Sequence, residues 1–273
     1  MKVVVLGSGN VATHLSLAIQ KTQSTVIQVY SRNFVNACRL AYELQTACAA
    51  ECEDITPDAD LYLFAVTDSA LAEIIPRIPA NKGIWVHTAG SVPMDIFKGY
   101  TEHYGVLYPL QTFSGRRAID LQHVPFFVEA NLPDNEKLLI ELAGRLSNNV
   151  QTLDSEKRKY LHLAAVFACN FSNHMYALAY KLLEKQHIPP DVLLPLIDET
   201  AAKIHSISPL KAQTGPAIRN DSEVMDRQME LLSDPVVKEL YQLISQHIYK
   251  EAKSNLPSVN PSRDYGIFKS LNH

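Results

Sequence analysis

Val3-Val4-Val5-Leu6 runs straight into Gly7-Ser8-Gly9-Asn10-Val11-Ala12, so a short apolar segment feeds a G-x-G-x-x-A turn at the start of the chain. Each position in that turn has a physical duty. Gly7 permits the tight turn that leaves a buried strand, and Gly9 lets backbone approach a pyrophosphate. Ala12 is small enough for the next helix to pack on the sheet, so the free N–H groups at the helix N-terminus face the anion. A helix-like stretch over residues 11–20 follows. This strand–turn–helix context separates a dinucleotide-binding turn from an ordinary glycine turn.

The rest of the chain divides into two grammars. Up to about residue 152, short apolar runs alternate with helix-like segments: residues 3–6, 26–30, 61–66, 84–87, 105–108 and 125–129, with 150–153 as an edge. Runs rich in Val, Ile, Phe and Tyr without polar alternation suit strands buried on both faces. The helix-sized connections between the first four suit parallel pairing. The expectation is an open, doubly wound α/β sheet. Beyond about Ser155 the strand signal stops. Residues 155–186 read as one long, mostly apolar helix, broken by Pro189-Pro190 before a second helix over 191–207. A loop from Ser208-Pro209 to Gly215-Pro216 precedes two amphipathic helices over 221–232 and 234–252, and Asn255, Pro257, Asn260, Pro261 and Ser262 read as a tail. The division is a nucleotide-binding domain over 1–153 and an all-α domain over 154–273.

Which nucleotide is decided after the second run. It ends Tyr30-Ser31-Arg32-Asn33, with no carboxylate until Glu43. NAD-binding sheets place an acid near this point to hold the ribose hydroxyls. An arginine beside hydroxyl and amide donors instead suits a 2′-phosphate through charge-assisted hydrogen bonds. Ser31, Arg32 and Asn33 are therefore read as a 2′-phosphate pocket, which selects NADP(H). The third run ends Ala65-Val66-Thr67, residues placed to line the ribose and nicotinamide side. Asp68, next in line, is read as an N-cap for the following helix.

Four further clusters carry polar groups. His87-Thr88-Ala89-Gly90-Ser91 ends the fourth run, and Tyr108-Pro109-Leu110-Gln111-Thr112-Phe113 ends the fifth. A strand-end histidine can carry a proton near working pH or serve as a hydrogen-bonded structural residue. In the long helix, His162, Cys169 and Asn173 fall within about 20° of one another at 100° per residue, with Asn170 on the flank. Polar groups on a buried helix need partners, in protein or in ligand. Arg219, in Gln213-Thr214-Gly215-Pro216-Ala217-Ile218-Arg219-Asn220-Asp221, can clamp an anion or pair with an acid such as Asp221.

At these motifs the sequence resembles a known family. G-S-G-N-V-A at residues 7–12, H-T-A-G-S at 87–91 and Y-P-L-Q-T-F at 108–113 look like Rossmann-like NADP oxidoreductases. Y-L-H-L-A-A-V-F-A-C-N at 160–170 and T-G-P-A-I-R-N-D at 214–221 look like their uncharacterised helical C-terminal domain. Pyrroline-5-carboxylate reductases, deazaflavin-dependent NADP reductases and 3-hydroxyacid dehydrogenases are wider relatives. The resemblance implies NADP at the first motif, a site between the domains and dimerisation through helices. One feature departs from the 3-hydroxyacid dehydrogenases, whose catalytic lysine shortly precedes an asparagine. Asn170 here follows Val166, Phe167 and Ala168, and the nearest upstream lysine is Lys159. His87 or His162 then becomes the expected proton carrier, with Asn170 beside them.

The expectation is an NADP(H)-dependent oxidoreductase acting on a C=O or C=N group of a small substrate. Gly7, Ser8, Gly9, Asn10 and Val11 cradle the pyrophosphate in that reading. A pyrroline-5-carboxylate-type imine reductase and a non-catalytic NADP(H)-sensing protein are the alternatives. The net charge of -4, with Lys and Arg spread along the chain, argues against nucleic acid or an acidic membrane as partner. No apolar stretch approaches the roughly 20 residues of a membrane span, and no secretory leader is visible. A cytoplasmic homodimer is expected. Cys38, Cys48, Cys52 and Cys169 lack metal spacing and are read as reduced thiols.

Overall fold

The computed structural model describes residues 1–115, 117 and 119–254, and the tail expected from Asn255 onward lies outside the described residues. Two compact units emerge, Met1–Leu178 and Ala179–His273.

The first unit is built on an eight-stranded sheet: β1 (Lys2–Leu6), β2 (Thr25–Tyr30), β3 (Ala47–Ala49), β4 (Leu61–Phe64), β5 (Ile84–His87), β6 (Tyr104–Pro109), β7 (Phe126–Ala130) and β8 (Val150–Thr152). The spatial order is β3-β2-β1-β4-β5-β6-β7-β8. Every pairing is parallel except that of β6 with β7. The first six strands follow the order of a dinucleotide-binding sheet, which reverses direction between β1 and β4. Helices α1 (Asn10–Gln20), α2 (Phe34–Leu44) and α3 (Asp68–Ile74) supply the early crossovers, and α4 (Pro133–Gly144) joins β7 to β8. β5 reaches β6 by a 3-10 turn at Met94–Phe97 instead of a full helix.

Burial on both faces explains why the strands showed no polar alternation. Val3 and Val5 join one core with Ala12, Leu15 and Ile19 of α1, Leu40 of α2 and Leu139 of α4. Val4 and Leu6, their neighbours in β1, join a second core with Tyr62, Phe64, Leu71, Trp85 and Phe97. Trp85 packs among aromatic neighbours: Phe64 lies at 5.4 Å between ring centroids and Phe97 at 5.9 Å, edge on.

The cysteine expectation needs correction for two residues. Cys38 of α2 and Cys48 of β3 form a disulfide, with Cα atoms 5.2 Å apart. Gln45, at φ +55°, ends α2 in the left-handed region and turns the chain back into β3, which brings the two together. Ten residues of spacing give no hint of that turn. Cys52 is buried and Cys169 exposed, both as free thiols.

The long helix divides in two. α5 (Ser155–Ala165) passes through a π-helical segment, Val166–Phe171, into α6 (Ser172–Glu184). α5 is anchored to the sheet by a buried ion pair, with Arg158 Nη1 2.5 Å from Glu129 Oε2 of β7. The backbone N–H of Ser155 donates to Glu129 Oε1, and Arg158 Nη2 donates to the Val92 carbonyl.

The second unit holds the short helices α7 (Leu194–Lys203) and α8 (Pro209–Ala212), then α9 (Ser222–Glu230) and α10 (Pro235–Ser254). Among the described residues no helix is long and apolar enough to cross a membrane.

Candidate functional site

A single cavity of about 560 Å³ opens at the carboxyl ends of β1, β2, β4, β5 and β6, where the strand order reverses. It is entirely within the first unit. Of the residues singled out by the sequence, it gathers Gly7, Ser8, Gly9, Asn10, Val11, Ser31, Arg32, Ala65, Val66, Thr67 and His162. Asn33, Asn170 and His87 do not line it.

The turn between β1 and α1 has the features of an anion cradle. Gly7 adopts φ +127°, and a Cβ there would lie 2.1 Å from the Ala65 carbonyl oxygen, so only glycine fits. A Cβ on Gly9 would meet nothing within 4 Å, because it would project into the open cavity. Gly9 is also the N-cap of α1. No side chain caps that helix and its first turn holds no acid, so its N–H groups stay available to an anion. These observations fit a dinucleotide pyrophosphate.

At one end of the cavity, Ser8 Oγ donates to Ser31 Oγ at 2.8 Å. Arg32 lies beside them, exposed, with Nη1 3.2 Å from Glu73 Oε2 of α3. Ala70 and Ile74, on the cavity side of the same helix, supply an apolar wall. Asn33 is drawn elsewhere: its Oδ1 accepts from the Asn36 N–H and caps α2. Asp68 is not the cap expected. Thr67 occupies the N-cap position of α3, its hydroxyl bonding Ser69 Oγ and not a backbone N–H, and Asp68 accepts from Ser91 Oγ.

At the other end, Tyr108 Oη and His162 Nδ1 are 3.0 Å apart, with the rings edge to face. Gly90 makes this possible, since a Cβ there would lie 2.5 Å from the His162 ring. Burial pushes the Tyr108 phenol above its usual range, opposed by Arg158 and reinforced by Cys169. The phenol therefore holds its proton at neutral pH.

His87 sits beneath this surface. Its side chain alternates with Val86 along β5, so it falls on the face of Trp85 and Phe97, and its ring centroid is 5.6 Å from that of Phe97. Nδ1 accepts from the Ala89 N–H at 3.2 Å, and Nε2 is buried with no hydrogen-bond partner. Burial first, and the nearby Arg158 second, lower its pKa to about 3, with the Pro93 carbonyl opposing. The imidazole is neutral at physiological pH.

The helical stripe expected from the sequence is only partly formed. The π-helical segment breaks the 100° progression after Ala165, so Asn170 and Asn173 point to solvent while His162 faces Tyr108. Asp221 accepts from the Val224 N–H and caps α9, and Arg219 lies exposed. Among the described residues no cluster of His, Cys, Asp or Glu could hold a metal ion.

Tyr108, Gly90, Phe113 and Glu73 were not given roles from the sequence. Phe113 lines the cavity while its carbonyl accepts from Asn10 Nδ2 at 3.0 Å, and its ring packs on His14. The motif Y-P-L-Q-T-F carried the signal for two of them, yet Tyr108 reads in sequence as one more strand aromatic. Glu73 carried no signal in the sequence.

Comparison with known proteins adds the family. Residues 1–111 match a Rossmann-like domain, and residues 124–248 match a domain of unknown function (DUF2520). A Bacteroides fragilis protein with the provisional name NADP oxidoreductase is 45% identical, with 91% of this chain and 98% of that one covered and a TM-score of 0.86. A 1-pyrroline-5-carboxylate reductase from Streptococcus pyogenes shares the fold at 12% identity, with 93% and 98% covered and a TM-score of 0.61. An imine reductase from Myxococcus stipitatus, solved with NADP+, shares it at 13% identity, with 93% of each covered and a TM-score of 0.63. None of the curated proteins matches the sequence.

Proposed function

The chain belongs to the family that joins a Rossmann-like domain to a DUF2520 domain, and from that premise we propose that it is an NADP(H)-dependent oxidoreductase reducing a C=O or C=N group of a small molecule. The observation that carries this reading is one continuous cavity with an uncapped helix N-terminus in the middle, Arg32 at one end and the Tyr108–His162 pair at the other. The provisional name of the 45%-identical relative supports the cofactor and the reaction class.

NADPH bound here would supply the hydride. The residues of the chain do the remainder. Gly7, Gly9 and the first turn of α1 orient the diphosphate through backbone N–H groups. Ser31 and Arg32 meet the 2′-phosphate, with Ser8 held against Ser31. Ala65, Val66 and Thr67 border the ribose side. Tyr108 is placed to donate its phenolic proton to the substrate oxygen or nitrogen, and His162, hydrogen-bonded to it, to return a proton to the phenolic oxygen. His87 acts from below as a neutral, buried support under the Thr88–Gly90 loop, which leaves His162 as the histidine at the reacting end.

A second copy of the chain completes the molecule in this proposal. Tyr160, Leu163, Phe167 and Phe171 form an apolar row along α5 and the π-helical segment, and Tyr160 is 74% exposed. In the second unit only Ala217 and Leu232 are buried hydrophobics among the described residues, while Leu194, Leu196, Leu210, Val236 and Leu243 are exposed. Apolar surface on that scale requires a cover.

The test of activity is NADPH oxidation against a panel of cyclic imines, 2-keto acids and 3-keto acids. Turnover with one class supports the proposal and names the bond reduced. Tight NADPH binding without turnover at high protein concentration would leave a sensing protein instead.

A further inference from the structure

Glu73 bears on cofactor choice, and it does so through Arg32. We propose that Glu73 is a selectivity residue: its carboxylate occupies the guanidinium that reads the 2′-phosphate, so that NADP(H) must displace it while NAD(H) need not. This rests on the NADP(H) reading above and adds to it the residue that sets the strength of the preference.

Three observations carry it. Arg32 Nη1 and Glu73 Oε2 are 3.2 Å apart, so one N–H edge of the guanidinium is already paired with a carboxylate. Both side chains are mostly exposed, 62% and 65%, so the pair is weak and exchangeable. Glu73 also extends from α3, whose Ala70 and Ile74 wall the cavity beside Arg32. Glu73 itself is not part of the cavity lining, so it reaches the site through its contact with Arg32.

The charge logic separates the two cofactors. A ribose hydroxyl is neutral, so with NAD(H) the Arg32–Glu73 pair persists and the acid costs nothing. A 2′-phosphate competes with Glu73 for one guanidinium and is repelled by the carboxylate it displaces. Glu73 thus lowers NADP(H) affinity below what Arg32 alone would give, and it speeds release of the phosphorylated cofactor.

Calorimetric titration of NADPH and NADH into wild-type protein, Glu73→Gln and Glu73→Lys tests this without reference to catalysis. Glu73→Gln tightens NADPH roughly twofold to fivefold at low salt, the range expected for an exposed ion pair, and leaves NADH unchanged. Glu73→Lys tightens NADPH further, and high salt erases both effects. In an Arg32→Gln background the Glu73→Gln change tightens NADPH less than it does in the wild-type background, because only the direct repulsion remains. If wild-type protein prefers NADPH but Glu73→Gln leaves its affinity unmoved, or tightens both cofactors equally, this proposal falls alone. If wild-type protein shows no preference for NADPH, the 2′-phosphate reading of Arg32 falls and takes it along.

Discussion

Side-chain parity decides what each candidate residue can do. Ile84 and Val86 enter one core and Trp85 and His87 the other, so a histidine at a strand end, legible as such in the sequence, is buried under Phe97. Its pKa of about 3 has a measurable consequence. The unfolded histidine, near 6.5, binds a proton that the folded one refuses, so stability is complete above about pH 6.5 and is lost as pH falls toward 3. The expected loss is about 1.4 kcal/mol per pH unit in that window. Urea unfolding from pH 7 to pH 4 checks it: the wild-type curve should fall more steeply than that of His87→Gln by about one proton, and parallel curves would contradict the burial argument. Tyr108 shows the opposite lesson. Its hydroxyl bonds His162 across 54 residues of sequence, a meeting that no local pattern announces. Tyr108→Phe should slow carbonyl reduction by about 100-fold with little change in NADPH affinity, as for loss of a positioned proton donor. Survival of the rate with an imine substrate would mean that the substrate arrives already protonated.

Elements were most legible where burial is two-sided. β1, β2, β4, β5 and β6 all appear as apolar runs because both faces of the parallel sheet are covered. β3 was missed, since Ala47-Cys48-Ala49 is a three-residue edge strand with no β-branched or aromatic residue. The π-helical segment was missed because its sequence, Val166–Phe171, is as apolar as the helix around it. The turn from β1 to α1 offers the sharpest test at this scale, because its two glycines are required for different reasons. Gly7→Ala places a Cβ against the Ala65 carbonyl at φ +127°, and should cost about 2 kcal/mol or more of stability. Gly9→Ala meets only open space. Thermal melts should show Gly9→Ala unchanged in midpoint while its NADPH affinity falls at least tenfold. A Gly9→Ala protein that binds NADPH normally would remove the pyrophosphate from this turn.

At the scale of the whole molecule, the apolar helices after Ser155 read in sequence as buried, yet in one chain they are largely open to solvent. In the proposed dimer a second copy supplies their cover. Sedimentation should therefore give about twice the 30.5 kDa of the chain, and Leu163→Glu with Phe167→Glu should shift the species toward monomer. A wild-type monomer at micromolar concentration would contradict the proposed second copy. The proposed function needs the β1–α1 turn to present amide donors to a diphosphate and Arg32, one strand away, to read the 2′-phosphate. Titration of NADPH and NADH into wild-type protein and Arg32→Glu, followed by calorimetry, tests that claim most directly. Wild-type protein should bind NADPH at least tenfold more tightly than NADH, and Arg32→Glu should abolish the difference while leaving NADH within a few-fold. No heat with either dinucleotide, or equal affinity for both in the wild-type protein, would contradict it.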